Sequence, residues 1–283
     1  MLRFNFVSTL LSRRAIVGWV LGSVVLFFSY GCGDHKKNNT APPAVATNAS
    51  ASDTPESMNK LTDQEEKDGW KLLFDGSNTD GWRGYNQPVF PTGGWVVKDG
   101  LLMMEATGKD KEEEGYGGDI ITKDEYQNFE FKTDYKLSPD ANGGILYQVK
   151  EVKGEPIWHS APEYQLLDDE GFENRKKYVM DKHRTGDNFD LMASTPNVSK
   201  PVGEWNEAML RIKDGKVEHW LNGQKVLEYT LWTPEWKELI KKSKFAKYPQ
   251  FGMAKKGHIG IQDWGHKIWY RNIKVRDLSA GAI

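Results

Sequence analysis

The chain has 283 residues, with 38 basic and 40 acidic side chains and a formal net charge of -2. That balance argues against a nucleic-acid partner, for which a basic patch or stripe is expected. One cysteine is too few for a disulfide framework, which needs an even set. Aromatic residues make up 12%, including 11 Trp and 11 Tyr. Such richness suits a β core and equally suits the stacking of sugar rings.

The first element is a leader. Arg3, Arg13 and Arg14 form a positive region, and Ala15 to Phe28 is an apolar run of 14 residues. That is short for a membrane span and right for a signal peptide. The following Ser29-Tyr30-Gly31-Cys32 resembles the lipobox of bacterial lipoproteins, with Ser29 where Leu is more usual. The resemblance implies that residues 1–31 are removed and that Cys32 carries lipid. It also implies a protein anchored in the cell envelope, as a periplasmic or outer-membrane lipoprotein. Residues 32–65 hold almost nothing large and apolar, so they read as a flexible linker. Thr62 and Glu65 have the spacing of a capping box for a short helical turn.

The remaining chain, residues 66–278, is about 215 residues, one large β domain; residues 279–283 form a tail. Trp95-Val96-Val97 and Leu101-Leu102-Met103-Met104 flank Asp99-Gly100, a strong hairpin signal. Phe129 to Tyr135 alternates apolar and polar residues, as a half-buried strand does. Gly144 to Val149 and Glu163 to Asp168 read as two more strands. Glu207 to Ile212, Lys216 to Leu221 and Gln224 to Tyr229 form a meander turning at Asp214-Gly215 and Asn222-Gly223. Glu235 to Phe245 is the one clear helix, with Trp236, Leu239 and Ile240 on one face and its lysines in solvent. Gly257 to Asp263 and Lys267 to Val275 complete the set. Many short strands, one helix and no fixed repeat predict an all-β two-sheet jelly-roll sandwich.

Six segments in order resemble the 3-keto-disaccharide hydrolase family. They are Gly69 to Gly76 with Gly81-Trp82, Asn142 to Tyr147, Glu163 to Asp169, Gly203 to Glu207, Val217 to Gly223, and Gly257 to Asp263 with Tyr270 to Val275. The resemblance implies a concanavalin A-like lectin/glucanase fold and cleavage of 3-keto-glycosides. Trp264 and Gln148 depart from it, standing where many members carry His and Arg. In a 3-keto sugar the C2 proton is acidified by the adjacent carbonyl. A base removes it, the C1 substituent is eliminated, and water adds back to C1. That route needs a base, an acid for the leaving oxygen and a group that stabilises enolate charge.

Glu163, Asp168 and His183 are the candidate catalytic residues. Glu163 and Gln165 share a strand face, and Asp168 joins them only through a bulge. Candidate sugar contacts are Tyr147, Trp158, His159, Gln165, His219, Gln262, Arg271 and Asn272. His219 alternates with Val217 and Leu221 and reads equally well as a core histidine, and Arg271 as an ion-pair partner. His159, Glu163, Asp168 and His183 are ligand types for a divalent metal, but their spacing matches no recognised metal motif. No cofactor is therefore assigned. Two rivals share the fold: a non-catalytic carbohydrate-binding protein, and a glucanase, which needs two carboxyls about 5 Å apart.

Overall fold

Three dipeptides close the hairpins of the larger sheet. Asp99-Gly100, Asp214-Gly215 and Asn222-Gly223 hold positive φ at both residues, between 50° and 82°. This is the type I′ geometry whose twist matches that of paired strands. They join β3 (Trp95–Lys98) to β4 (Leu101–Met104), β9 (Trp205–Lys213) to β10 (Lys216–Leu221), and β10 to β11 (Gln224–Thr230). The computed structural model describes residues 57–106, 118–175 and 179–279. The leader, Cys32 and most of the linker lie outside the described residues.

The other strands are β1 (Trp70–Leu72), β2 (Trp82–Gly84), β5 (Ile120–Thr122), β6 (Phe129–Leu137), β7 (Asn142–Val149), β8 (Glu163–Leu167), β12 (His258–Ile261) and β13 (Ile268–Asp277). One antiparallel sheet has the order β11-β10-β9-β6-β13-β4-β3, with β1 also paired to β13. The second has the order β2-β5-β12-β7-β8. Phe129, Phe131, Tyr135, Leu210, Ile212 and Tyr270 from the larger sheet meet Ile145, Tyr147, Tyr164, Leu166 and Ile261 from the smaller in one buried core. Alternation explains this meeting: along β6 Phe129, Phe131, Thr133, Tyr135 and Leu137 are buried at every second position, with Glu130 buried besides. The molecule is the expected two-sheet sandwich.

Among the described residues three short α-helices stand where the sequence predicts one clear helix. α1 (Asp63–Lys67) has the expected capping box, with Thr62 Oγ1 accepting from Glu65 N–H. α2 (Asp169–Glu173) begins at Asp168, whose carboxylate accepts from the Gly171 N–H at 2.9 Å. β8 therefore stops at Leu167, one residue short of the predicted strand. α3 (Pro234–Lys241) ends earlier than predicted, and a 3-10 turn follows at Lys244–Lys247. Ser243 makes the break: its hydroxyl accepts from the Phe245 N–H at 3.1 Å and starts the new turn.

Candidate active site

The site begins with strand parity. β8 pairs with β7 so that Glu163 faces Leu146 and Gln165 faces Gly144. Tyr164 and Leu166 point into the core, which leaves Glu163 and Gln165 together on the outer face of the five-stranded sheet. Glu163 nevertheless is only 6% exposed. It lies over Gly144, where a Cβ would come within 2.0 Å of its Oε1. Glycine at 144 thus supplies the space that the carboxyl occupies.

Around this carboxyl is a hollow of about 190 Å³. Asn142, Gln165 and Gln262 line it with amides, and Trp158, Phe189, Phe245 and Trp264 line it with rings. Gln165 Nε2 donates to Asn142 Oδ1 at 2.7 Å, which fixes the orientation of both side chains. Lys244 supplies the cation. Its Nζ lies 4.1 Å from the Phe189 ring centre and 3.7 Å from Asp190 Oδ2. Burial pushes the Glu163 carboxyl up to about 8; the positive charge of Lys244 opposes the rise, and Asp119 adds to it. The site therefore holds a carboxyl that exchanges protons near neutral pH, with a cation able to meet developing negative charge.

The structure distributes the other predicted residues differently. Trp158, Gln165 and Gln262 line the hollow. Asp168 does not: besides capping α2, it accepts from the Asp140 N–H at 2.8 Å, and no bulge carries it to Glu163. His183 stands one layer behind, stacked on Phe189 with centroids 4.7 Å apart and bonded through Nε2 to Asp190 Oδ1 at 3.2 Å. His159 stacks on Tyr248 at 3.7 Å and pairs with Glu155. Tyr147 and His219 are fully buried between the sheets. There His219 Nδ1 meets the Gly186 carbonyl at 2.9 Å, and burial lowers the imidazole to about 4. Arg271 and Asn272 are on β13, in the opposite sheet, where both donate to Asp134 Oδ2, at 3.1 and 2.8 Å.

Sequence reasoning missed Asn142, Phe189, Lys244 and Phe245 as site residues. Of these, Asn142 alone carried a signal, since it opens one of the six family segments. Lys244 reads as a solvated helix lysine, and only the Ser243 break turns it toward β8. Trp264, one of the two departures from the family pattern, lines the hollow; Gln148 does not and instead donates to the Lys255 carbonyl at 3.3 Å. No histidine or arginine lines the hollow, and Glu163 is its one carboxylate among the described residues. A retaining glucanase pair is thus absent from it. Among the described residues no group of three or more His, Cys, Asp or Glu gathers to hold a metal ion.

A jelly-roll β-sandwich with an acid set in a hollow of rings and amides has the make-up of a small-molecule site. Residues 69–276 match the family model described as a 3-keto-alpha-glucoside-1,2-lyase-like domain. The 3-keto-disaccharide hydrolase of Bacteroides thetaiotaomicron is 34% identical over 271 residues, covering 87% of this chain and 93% of the relative. A crystal structure from Parabacteroides distasonis, of a protein provisionally named a glycosyl hydrolase, superposes with a TM-score of 0.71. It is 33% identical and covers 78% of this chain and 100% of its own. A second from the same organism, named likewise, is 29% identical with a TM-score of 0.54 and covers 74% and 99%. The chain belongs to the 3-keto-disaccharide hydrolase family.

Proposed function

We propose that this protein cleaves 3-keto-disaccharides at the hollow over β8, with Glu163 as the base. The observation that carries this reading is the buried Glu163 carboxyl, raised to about 8 and facing Lys244 across a sugar-sized space. The ionised carboxylate takes the C2 proton, and the electron pair of the C–H bond forms the enolate with the C3 carbonyl. The C1–O bond then breaks and the leaving oxygen takes the proton that Glu163 gained, giving an alcohol and an enone. Water adds to that enone: its oxygen bonds C1 as the regenerated Glu163 carboxylate takes the proton it sheds, and Glu163 passes that proton to C2. Lys244 offsets the enolate charge beside the rings of Trp158, Phe189 and Phe245. The names of the relatives agree with this order, since a 1,2-lyase eliminates and a hydrolase adds water.

The test is turnover of 3-keto-trehalose by the purified domain, followed as release of 3-keto-glucose. Glu163→Gln keeps the shape and removes the base, so kcat should fall about 10²–10⁴-fold. An unchanged rate removes Glu163 from the role, and binding without turnover by the parent protein makes it a carbohydrate-binding protein instead.

The envelope location belongs to the same proposal. The positive region, the apolar run and Cys32 support a lipid tether that holds the domain outside the cytoplasm.

A further inference from the structure

A disaccharide has two rings, and the hollow over Glu163 is the size of one. A second hollow, of about 410 Å³, opens beside it. It is lined by Tyr85, Asn86, Gln87, Asp119, Glu155 and Asp263. Strand order fixes the relation between the two. Tyr85 follows the end of β2, Asp119 precedes the start of β5, and Asp263 follows the end of β12. These three strands are neighbours and antiparallel, so all three positions fall at one end of the sheet. Gln262 at the end of β12, Asn142 at the start of β7, and Gln165 on β8 border the first hollow at that same end. The end of β12 is therefore the shared wall, with Gln262 on one side and Asp263 on the other. One short segment borders both: Pro156, which precedes the turn at Ile157–His159, lines the second hollow and Trp158 the first. Asp119, in the second hollow, lies close enough to Glu163 to raise its carboxyl.

We propose that the second hollow is the subsite for the leaving sugar, so that the scissile bond crosses the end of β12. This inference rests on the reading of the first hollow as the site of the 3-keto ring. The lining also selects the chemistry of the leaving group. Of its three carboxylates, Asp119 and Glu155 offer oxygens to sugar hydroxyls and Asp263 adds a third negative charge, and among the described residues no lysine or arginine lines it. Backbone groups hold two of them in place: Asp263 N–H donates to Asp119 Oδ1 and Gly118 N–H to Asp263 Oδ2, both at 2.9 Å. Such a subsite takes a neutral polyhydroxylated ring and repels a uronate or a sulfated sugar.

The test compares two substrates that share the 3-keto ring: 3-keto-trehalose, which fills both hollows, and methyl 3-keto-glucoside, which fills only the first. Gln87→Trp puts a ring into the second hollow from an exposed position, and Gln87→Ala removes a hydroxyl partner from it. Circular dichroism checks that each variant is folded. In Gln87→Trp, kcat/KM for 3-keto-trehalose should fall at least tenfold more than for the methyl glucoside, mainly through KM. Gln87→Ala should give a smaller fall of the same kind. Equal falls on both substrates, or none, in folded variants overturn the subsite and leave the first hollow intact. Turnover of neither substrate by the parent enzyme overturns the reading of the first hollow, and this inference with it.

Discussion

A base acts only when ionised, and Glu163 is raised to about 8. One pH unit below that value roughly a tenth of the carboxyls are ionised. The sign is therefore fixed: kcat/KM should climb about tenfold from pH 7 and level off above pH 9, read from initial rates across that range. A descending limb over the same interval would mean that the protonated acid, not the base, limits the reaction. Lys244 tests the partner charge. Lys244→Met should lower kcat about 10²–10³-fold, the cost of removing one group that stabilises an oxyanion. Because Lys244 lowers the Glu163 carboxyl, the same variant should move the ascending limb to higher pH. A loss of rate with no movement of that limb would separate Lys244 from Glu163. Gly144 tests position alone. In Gly144→Ala a Cβ would sit 2.0 Å from Glu163 Oε1, so the carboxyl must turn away while its chemistry is untouched. Misplacing a reacting group by an ångström costs on the order of 10²-fold, and kcat of this variant should show that loss with its thermal melt still cooperative.

At the scale of elements, the strands were readable because period-2 alternation and Asp-Gly or Asn-Gly turns are local signals. The parity of β8 followed from the sequence too: Glu163 and Gln165 share a face because they are two residues apart. What failed was the end of that strand. Asp168-Asp169-Glu170-Gly171 reads as a turn after a strand, yet the Asp168 carboxylate reaches both Gly171 N–H and Asp140 N–H and starts a helix. An aspartate before a short acidic run is an N-cap as readily as it is a catalytic acid, and apolar periodicity distinguishes the two poorly in five residues. Asp168→Ala should therefore lower stability by about 1 kcal/mol, the ordinary cost of a lost cap, measured by urea denaturation. Its kcat should stay within about twofold of the parent, since the side chain is outside the Glu163 hollow. A loss approaching that of Glu163→Gln would return Asp168 to the chemistry. The Lys244 turn illustrates the opposite limit. Nothing within ten residues of Lys244 tells that Phe189, more than fifty residues away in the chain, will seat its ammonium.

For the molecule as a whole, six ordered segments were enough to identify family and fold, but they do not all surround the site. They supply both sheets, and only those on β7, β8 and β12 border the Glu163 hollow. His219 and Arg271 belong to the same resemblance and serve the scaffold: one fills the space between the sheets, the other orders the outer face of the larger sheet. Sequence order cannot say which layer a strand joins, because β12 and β13 are consecutive yet lie in different sheets. Arg271 makes this division testable. Its guanidinium bonds Asp134 and stacks over Trp205 at 4.2 Å, and it is 7% exposed. Removing a buried hydrogen-bonded charge leaves its partner uncompensated and costs about 1–3 kcal/mol. For a domain of this size each kcal/mol moves the melting midpoint by roughly 2–4 °C, so Arg271→Leu should melt several degrees lower. KM and kcat on 3-keto-trehalose, corrected for the folded fraction, should stay within about twofold of the parent, because the sandwich core separates β13 from the hollow. A rise in KM of tenfold or more with unchanged melting would place substrate on the larger sheet and move the site away from Glu163.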